Sequence, residues 1–387
     1  MRLTHAKRTL RFTTALTASI VAGCGGGDSR SAGTIDVQSL AGEIPVLREG
    51  CTPFGAPPRT VLAPLDTVFA PSCVPGGRRL DQWSDGEGTV RDACVFEPAA
   101  AATDHKLPLV IYLHPSLVGT DLSLDANFLR SEIDTADLTG DPERPGFILL
   151  SPYGRVTDRY YPFPDDNASP GWDNWYRQML PDGQARRVNG ESWPANVEAA
   201  SIDHFVDAIV AEGKVDPQRI YVMGWSNGSA MAMLYALNRP EVAAAAVYSA
   251  PDPFAAFNDP CTQQPVSRAP VDDSQLQLFN PDVPILHIHN DCDIAGLCPN
   301  GLYLRDTLAA GGATLIDDRI INSLLQPAEA CLDLCGTDPL AYYGGIDDPS
   351  GYIQNLPGYS LGLANHLRWP YTNTADMFEF LKAHPRR

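Results

Sequence analysis

The chain has 387 residues, 44% of them hydrophobic and 19% charged, the balance of a folded globular protein rather than a disordered or fibrous one. Its 28 Lys and Arg against 47 Asp and Glu leave a net charge of −19, which repels a phosphate backbone and argues against nucleic acid as a partner. Beyond the N-terminus no apolar run reaches the roughly 18 residues at which a helix can cross a bilayer.

Taken in chain order, the first feature is an export leader. Arg2, Lys7, Arg8 and Arg11 precede a short apolar stretch at 12–22, and Val21-Ala22-Gly23-Cys24 closes it with small residues. The pattern is similar to a bacterial lipoprotein signal, in which residues 1–23 are removed and Cys24 carries the lipid. Losing those basic residues would take the net charge from −19 to −23. The expected location is the cell envelope, with the membrane touched only through the lipid. Residues 24–50 are polar, include Gly25, Gly26 and Gly27, and read as a flexible tether.

Export also sets the redox state of the other cysteines. Cys51, Cys73, Cys94, Cys261, Cys292, Cys298, Cys331 and Cys335 are even in number, and in an oxidising compartment disulfides are the default. Residues 51–88 are expected to form a disulfide-containing N-terminal extension ahead of a main domain at 89–387. No Cys-x-x-Cys pair occurs, so the cysteines give no reason to expect a metal, and no cofactor is expected. Spacing alone does not fix the pairing.

The main domain alternates strands and helices. Residues 107–114 and 147–151 are short apolar runs rich in β-branched residues, as in strands buried on both faces of a parallel sheet. Ile202, Phe205, Val206, Ile209 and Val210 form one helical stripe, with Gly213 at its C-terminal cap and Asp216-Pro217 turning the chain. A strand at 219–223 follows, then a helix striped by Ala230, Met233, Leu234 and Leu237. Strands at 244–249 and 284–289 and a last helix at 374–383 complete the series. Strict alternation predicts a doubly wound, mostly parallel α/β sheet with right-handed crossovers.

Gly224-Trp225-Ser226-Asn227-Gly228 lies between a predicted strand and a predicted helix and fits G-x-S-x-G, the nucleophile elbow. A serine on that turn presents its hydroxyl above the sheet edge, and the glycines leave room for the backbone to fold tightly. The helix that follows aims the Asn227 amide and the positive end of its dipole at a developing oxyanion. Such a serine needs a base and an orienting acid, ordered Ser, Asp or Glu, His along the chain. Only His366 and His384 lie far enough on, and His384 belongs to the charged C-terminus. His366 is therefore the candidate base, with Asp293 favoured as acid and Asp291 open as the alternative.

Residues 219–253, with LVIYLHPS at 109–116, VPILHIHNDCD at 283–293 and NHLRWP at 365–370, resemble the α/β-hydrolase esterases that include polyhydroxybutyrate depolymerases and feruloyl or acetylxylan esterases. The resemblance covers roughly residue 89 to the C-terminus and implies the α/β-hydrolase fold. It implies Asp293 as acid, four residues after His289, and His366 as base ahead of Trp369-Pro370. It also implies a second oxyanion amide at Ser116, two residues after His114. The sequence departs from that family at Pro115, at Ser116 in place of cysteine, and at Ser229 in place of glycine.

The connection between the strand ending at 151 and the helix at 202 holds Tyr153, Tyr160, Tyr161, Phe163, Trp172, Trp175, Tyr176 and Trp193. Such loops lie over the carboxyl edge of the sheet, so an aromatic cleft is expected, with Trp172, Trp175 and Trp369 as substrate contacts. The resulting expectation is a serine ester hydrolase acting on polyhydroxyalkanoate-type polyester or on feruloyl or acetyl esters of polysaccharide. A peptidase of the same fold and a non-catalytic lipoprotein that binds polymer or glycan are the alternatives.

Overall fold

Short apolar runs, too short for helices and buried on both faces, build the centre of the molecule. In the computed structural model the described residues are 71–85, 88–116, 118–157, 169–172, 186–188, 191–193, 197–250, 257–258, 265–266, 278–290, 293, 305–306, 308–321 and 364–386. Eight strands form the main sheet: β1 (Gly77–Arg79), β2 (Ala93–Phe96), β3 (Leu107–Leu113), β4 (Ile148–Pro152), β5 (Val215–Trp225), β6 (Ala244–Tyr248), β7 (Ile285–Asn290) and β8 (Ile316–Ile321). Their spatial order is β1-β2-β4-β3-β5-β6-β7-β8. Strand β2 runs antiparallel to β1 and β4, and every other neighbouring pair is parallel. This is the expected α/β-hydrolase fold.

The pleat divides the core in two. Leu107, Leu109, Ile111 and Leu113 of β3 face one cluster with helices α2 (Val197–Ala211) and α3 (Asn227–Ala236). Val110 and Tyr112 face the other, with helix α4 (Tyr371–Ala383). Gly213 adopts φ +80° just past α2, the cap its position predicts.

Several expectations change. Asp216-Pro217 does not end an element: β5 starts at Val215, and the residues between Val215 and Ile220 form an irregularity against β3. Proline has no N–H to give the ladder, so the strand bulges instead of pairing there. Helix α3 is buried on all sides rather than along one stripe, because sheet and neighbouring elements surround it. Helix α4 starts at Tyr371, three residues before the expected start, with Pro370 at its N-cap. Helix α1 (Thr120–Asn127) and strands β1, β2 and β8 lacked a legible signal. β8 (IDDRII) is only half-buried, so its sequence never shows an apolar run.

The first disulfide partner is also resolved. Cys73 bonds Cys94, with Cα atoms 5.3 Å apart, tying the segment before β1 to β2. Strand β1, at Gly77–Arg79, is the edge strand of the main sheet. The leader, Cys24, the tether and Cys51, Cys261, Cys292, Cys298, Cys331 and Cys335 lie outside the described residues.

Candidate active site

The elbow is forced by backbone contact. Ser226, between β5 and α3, adopts φ +58° and ψ −126°, a conformation that costs about 1–3 kcal/mol and persists only where its surroundings over-determine it. They do so on both sides. A Cβ on Gly228 would stand 2.2 Å from the Leu113 carbonyl oxygen and 2.5 Å from that of His114. A Cβ on Gly224 would stand 2.5 Å from the Gly228 carbonyl oxygen. The chain can therefore fold this tightly only with glycine at both positions. The Ser226 N–H donates to Tyr248 O at 3.0 Å. Ser229, where the resembling family has glycine, donates its hydroxyl to the same carbonyl at 2.6 Å.

The structure brings Ser226, His366 and Asp293 into one line. Ser226 Oγ lies 2.7 Å from His366 Nε2, and His366 Nδ1 lies 2.8 Å from Asp293 Oδ1. A carboxylate only accepts, so Nδ1 carries the proton and Nε2 is left to accept from the serine hydroxyl. Asp293 is wholly buried, whereas Ser226 keeps 6% and His366 8% of their surfaces exposed, enough for a reacting atom to reach them from one side. Asp291, the alternative acid, lies outside the described residues.

A fourth member was not foreseen. Ser249, one residue past β6 at φ +62°, donates its hydroxyl to Asp293 Oδ2 and sits with the same oxygen 2.7 Å from His366 Nδ1. Its N–H donates to Ile288 O at 2.8 Å. Nothing in its residue type marks it; only its place at the end of the strand next to the elbow strand could have. The His366 segment is pinned from below: Trp225 Nε1 donates to His366 O at 2.8 Å, and the Tyr248 hydroxyl donates to Asn365 O at 3.0 Å. Burial, with the Asp293 charge nearby, raises the Tyr248 pKa and keeps that hydroxyl a donor.

Of the expected oxyanion residues, one belongs to the elbow itself and the other to the turn after β3, whose Leu113 and His114 carbonyl oxygens crowd Gly228. Asn227 is the first residue of α3, and its side chain grips the Trp172 backbone twice, accepting from the N–H at 2.7 Å and donating to the carbonyl at 3.0 Å. Ser116 lies in the turn after β3, partly buried, two residues beyond His114. His114 stiffens that turn. Its Nε2 accepts from Gly154 N–H at 2.8 Å, so Nδ1 is the donor, to Pro115 O at 2.8 Å. Burial holds this ring neutral, with a pKa lowered to about 4.

Two of the three expected aromatic substrate contacts, Trp172 and Trp369, are buried. Trp172 is fully buried, its indole N–H donating to His114 O at 2.8 Å. Trp369 is buried among the rings of Tyr112, Trp225 and Tyr248 and donates to Thr374 Oγ1 at 2.8 Å. Both brace the walls of the site because a large ring with a satisfied N–H is worth more to the core than to a cleft. A cavity of about 390 Å³ lies beside Trp369, Asn290, Ile321 and Arg368, but neither Ser226 nor His366 lines it. Trp175 lies outside the described residues.

Comparison with known proteins gives a partial match. Residues 184–257, which contain the elbow, match the model of the esterase PHB depolymerase family. No curated protein sequence matches the chain. Among solved structures, the chain is similar to a thermostable esterase at 19% identity and TM-score 0.43, covering 80% of this chain and 64% of that one. It is similar to a ferulic acid esterase at 15% identity and TM-score 0.41, covering 68% and 97%. It is also similar to dipeptidyl peptidase 4 of Porphyromonas gingivalis at 13% identity and TM-score 0.38, covering 66% and 32%. The chain thus spans less than two thirds of the length of the thermostable esterase and about a third of that of the peptidase, but nearly all of the ferulic acid esterase.

Proposed function

We propose that the chain is a carboxylic ester hydrolase working through an acyl-enzyme on Ser226. The observation that carries this reading is the unbroken line from Ser226 Oγ to His366 Nε2 and from His366 Nδ1 to Asp293. His366 takes the hydroxyl proton as Ser226 attacks the ester carbonyl, and then gives that proton to the leaving alcohol. Asp293 fixes the tautomer and stabilises the imidazolium. The amides of Asn227 and Ser116 receive the oxyanion, and water, deprotonated by the same imidazole, releases the acid. The family match over residues 184–257 supports an ester over a peptide bond as the bond cleaved, and the sequence resemblance adds polyester or feruloyl or acetyl esters of polysaccharide as the substrate class. A non-catalytic binding protein would have no use for so complete a proton path. Export and lipid attachment at Cys24 rest on residues 1–24 and are tested by mass spectrometry of the mature N-terminus.

The deciding experiment is a panel of nitrophenyl esters of rising acyl length, methyl ferulate, polyester film and a peptide anilide, run on the wild type and Ser226→Ala. Ester turnover is expected, lost by about 10⁶-fold in kcat in the variant at unchanged melting temperature. Turnover of the anilide alone, or appreciable ester hydrolysis by Ser226→Ala, would overturn the reading.

A further inference from the structure

A second cluster of polar side chains lies in the sheet, apart from Ser226. Strand β7 reads Ile285-Leu286-His287-Ile288-His289-Asn290. Leu286 and Ile288 pack into the cluster with α4, so the period of two turns His287 and His289 to the opposite face. Parallel pairing then sets Asp318 of β8 directly beside His287. The two imidazoles stack with centroids 4.8 Å apart and planes 7° apart. His287 Nδ1 and His289 Nε2 each lie 3.2 Å from Asp318 Oδ1.

Two buried histidines are costly in a sheet unless their nitrogens are used. His287 is wholly buried, and neither of its ring nitrogens makes a hydrogen bond of good geometry. Asp318 Oδ1, the oxygen on which both rings converge, is likewise without one. The other oxygen, Oδ2, lies 3.7 Å from the Arg305 guanidinium, which leaves Oδ1 facing the rings. Two imidazoles and a carboxylate, each offering one atom and all within 4.8 Å of one another, are a donor set for a divalent ion of borderline softness. With bonds of about 2.0–2.2 Å, neighbouring ligand atoms on a zinc tetrahedron stand about 3.3 Å apart, close to both nitrogen–oxygen separations found.

We propose that His287, His289 and Asp318 bind one divalent transition-metal ion, Zn²⁺ by donor chemistry, which clamps β8 to β7. Three protein ligands leave one tetrahedral position for water. The site is buried within the sheet and does not include Ser226 or His366, so its role is structural: it fixes the strand that Asp293 follows, four residues beyond His289. It is independent of the hydrolase reading, since it uses none of the groups assigned to ester cleavage.

The test uses the full chain, free of affinity-tag histidines and stripped with a chelator, titrated separately with Zn²⁺ and Co²⁺. The expected result is one ion per chain, visible tetrahedral absorption from Co²⁺ that Zn²⁺ displaces, and a rise in Tm on loading. His287→Gln and Asp318→Asn, near-isosteric changes checked for folding before metal is added, should each weaken binding at least about tenfold and abolish the Co²⁺ spectrum. The wild-type titration stands even if a variant does not fold. Failure of the wild type to bind stoichiometrically, or binding undiminished in both folded variants, would overturn the proposal.

Discussion

The two sides of the site are held by different means. On the nucleophile side, backbone touches backbone: Gly224 and Gly228 admit no side chain, Ser226 is locked at φ +58°, and α3 is buried all round. On the acid–base side, Asp293 and His366 are placed by single hydrogen bonds from side chains, those of Ser249, Trp225 and Tyr248. Steric exclusion acts over tenths of an ångström and leaves one solution. A hydrogen bond is worth about 1 kcal/mol net and can be lost singly. A side chain at Gly224 or Gly228 should therefore cause misfolding, whereas the acid–base side should fail by losing rate.

The largest effect that tests this contrast is Asp293→Asn. Asparagine fills the same space, but it can present an N–H to His366 Nδ1 and so favour the wrong tautomer. We expect kcat to fall by about 10⁴-fold while the melting temperature moves little. A large loss of stability instead would mean that the buried carboxylate holds the fold as well, and the contrast would fail.

That division also explains what was legible. The elbow could be read because steric necessity writes itself into five consecutive residues, and His366 could be reached because chain order excluded its rivals. Asp293 was favoured over Asp291 by its place after the strand, and the resemblance pointed to it as well. Ser249 was invisible because its role depends on β6 and β7 lying side by side, which no local pattern encodes. The burial of Trp172 was hidden for a related reason: aromatics in a long connection look alike whether they line a cleft or fill a wall. The His287, His289 and Asp318 group was hidden because the two histidines read as part of an apolar strand and Asp318 as part of a polar one. Among elements, β3 to β7 showed as apolar runs because both faces are buried. The half-exposed β8 had no such signature.

A middle-sized effect concerns His114, whose carbonyl oxygen abuts Gly228 and whose ring stiffens the turn before Ser116. Its pKa falls from 6.5 in the unfolded chain to about 4 in the fold, because burial disfavours the cation. Between those values the unfolded chain holds a proton that the folded one does not, so stability rises with pH through this window. Above about pH 7 the ring contributes no slope. Falling to pH 4 should cost about 3 kcal/mol. Urea midpoints from pH 8 to pH 4, compared between the wild type and His114→Gln, measure the difference. A slope in this window equal in the two proteins would show that the ring is not held neutral, and that the nucleophile side is looser than its backbone contacts imply.

The smallest effect sharpens the contrast most. Ser249→Ala removes one hydroxyl, leaving Asp293 Oδ2 without that donor while the His366 Nδ1 to Asp293 Oδ1 contact at 2.8 Å remains. A hydrogen bond to a charged group is worth about 1.5–3 kcal/mol, and the surviving contact should keep the loss near the lower end, about tenfold in kcat. KM should not change, since Ser249 is wholly buried and its hydroxyl bonds Asp293 and His366 Nδ1. A merely structural serine would lower Tm without this split. The decisive form is a double-mutant cycle with Asp293→Asn: if Ser249 acts by orienting the carboxylate, the second substitution costs little once the carboxylate is gone. Additive losses would mean that Ser249 works on His366 directly, through the 2.7 Å contact to Nδ1, and the acid–base side would then rest on two independent supports rather than one chain.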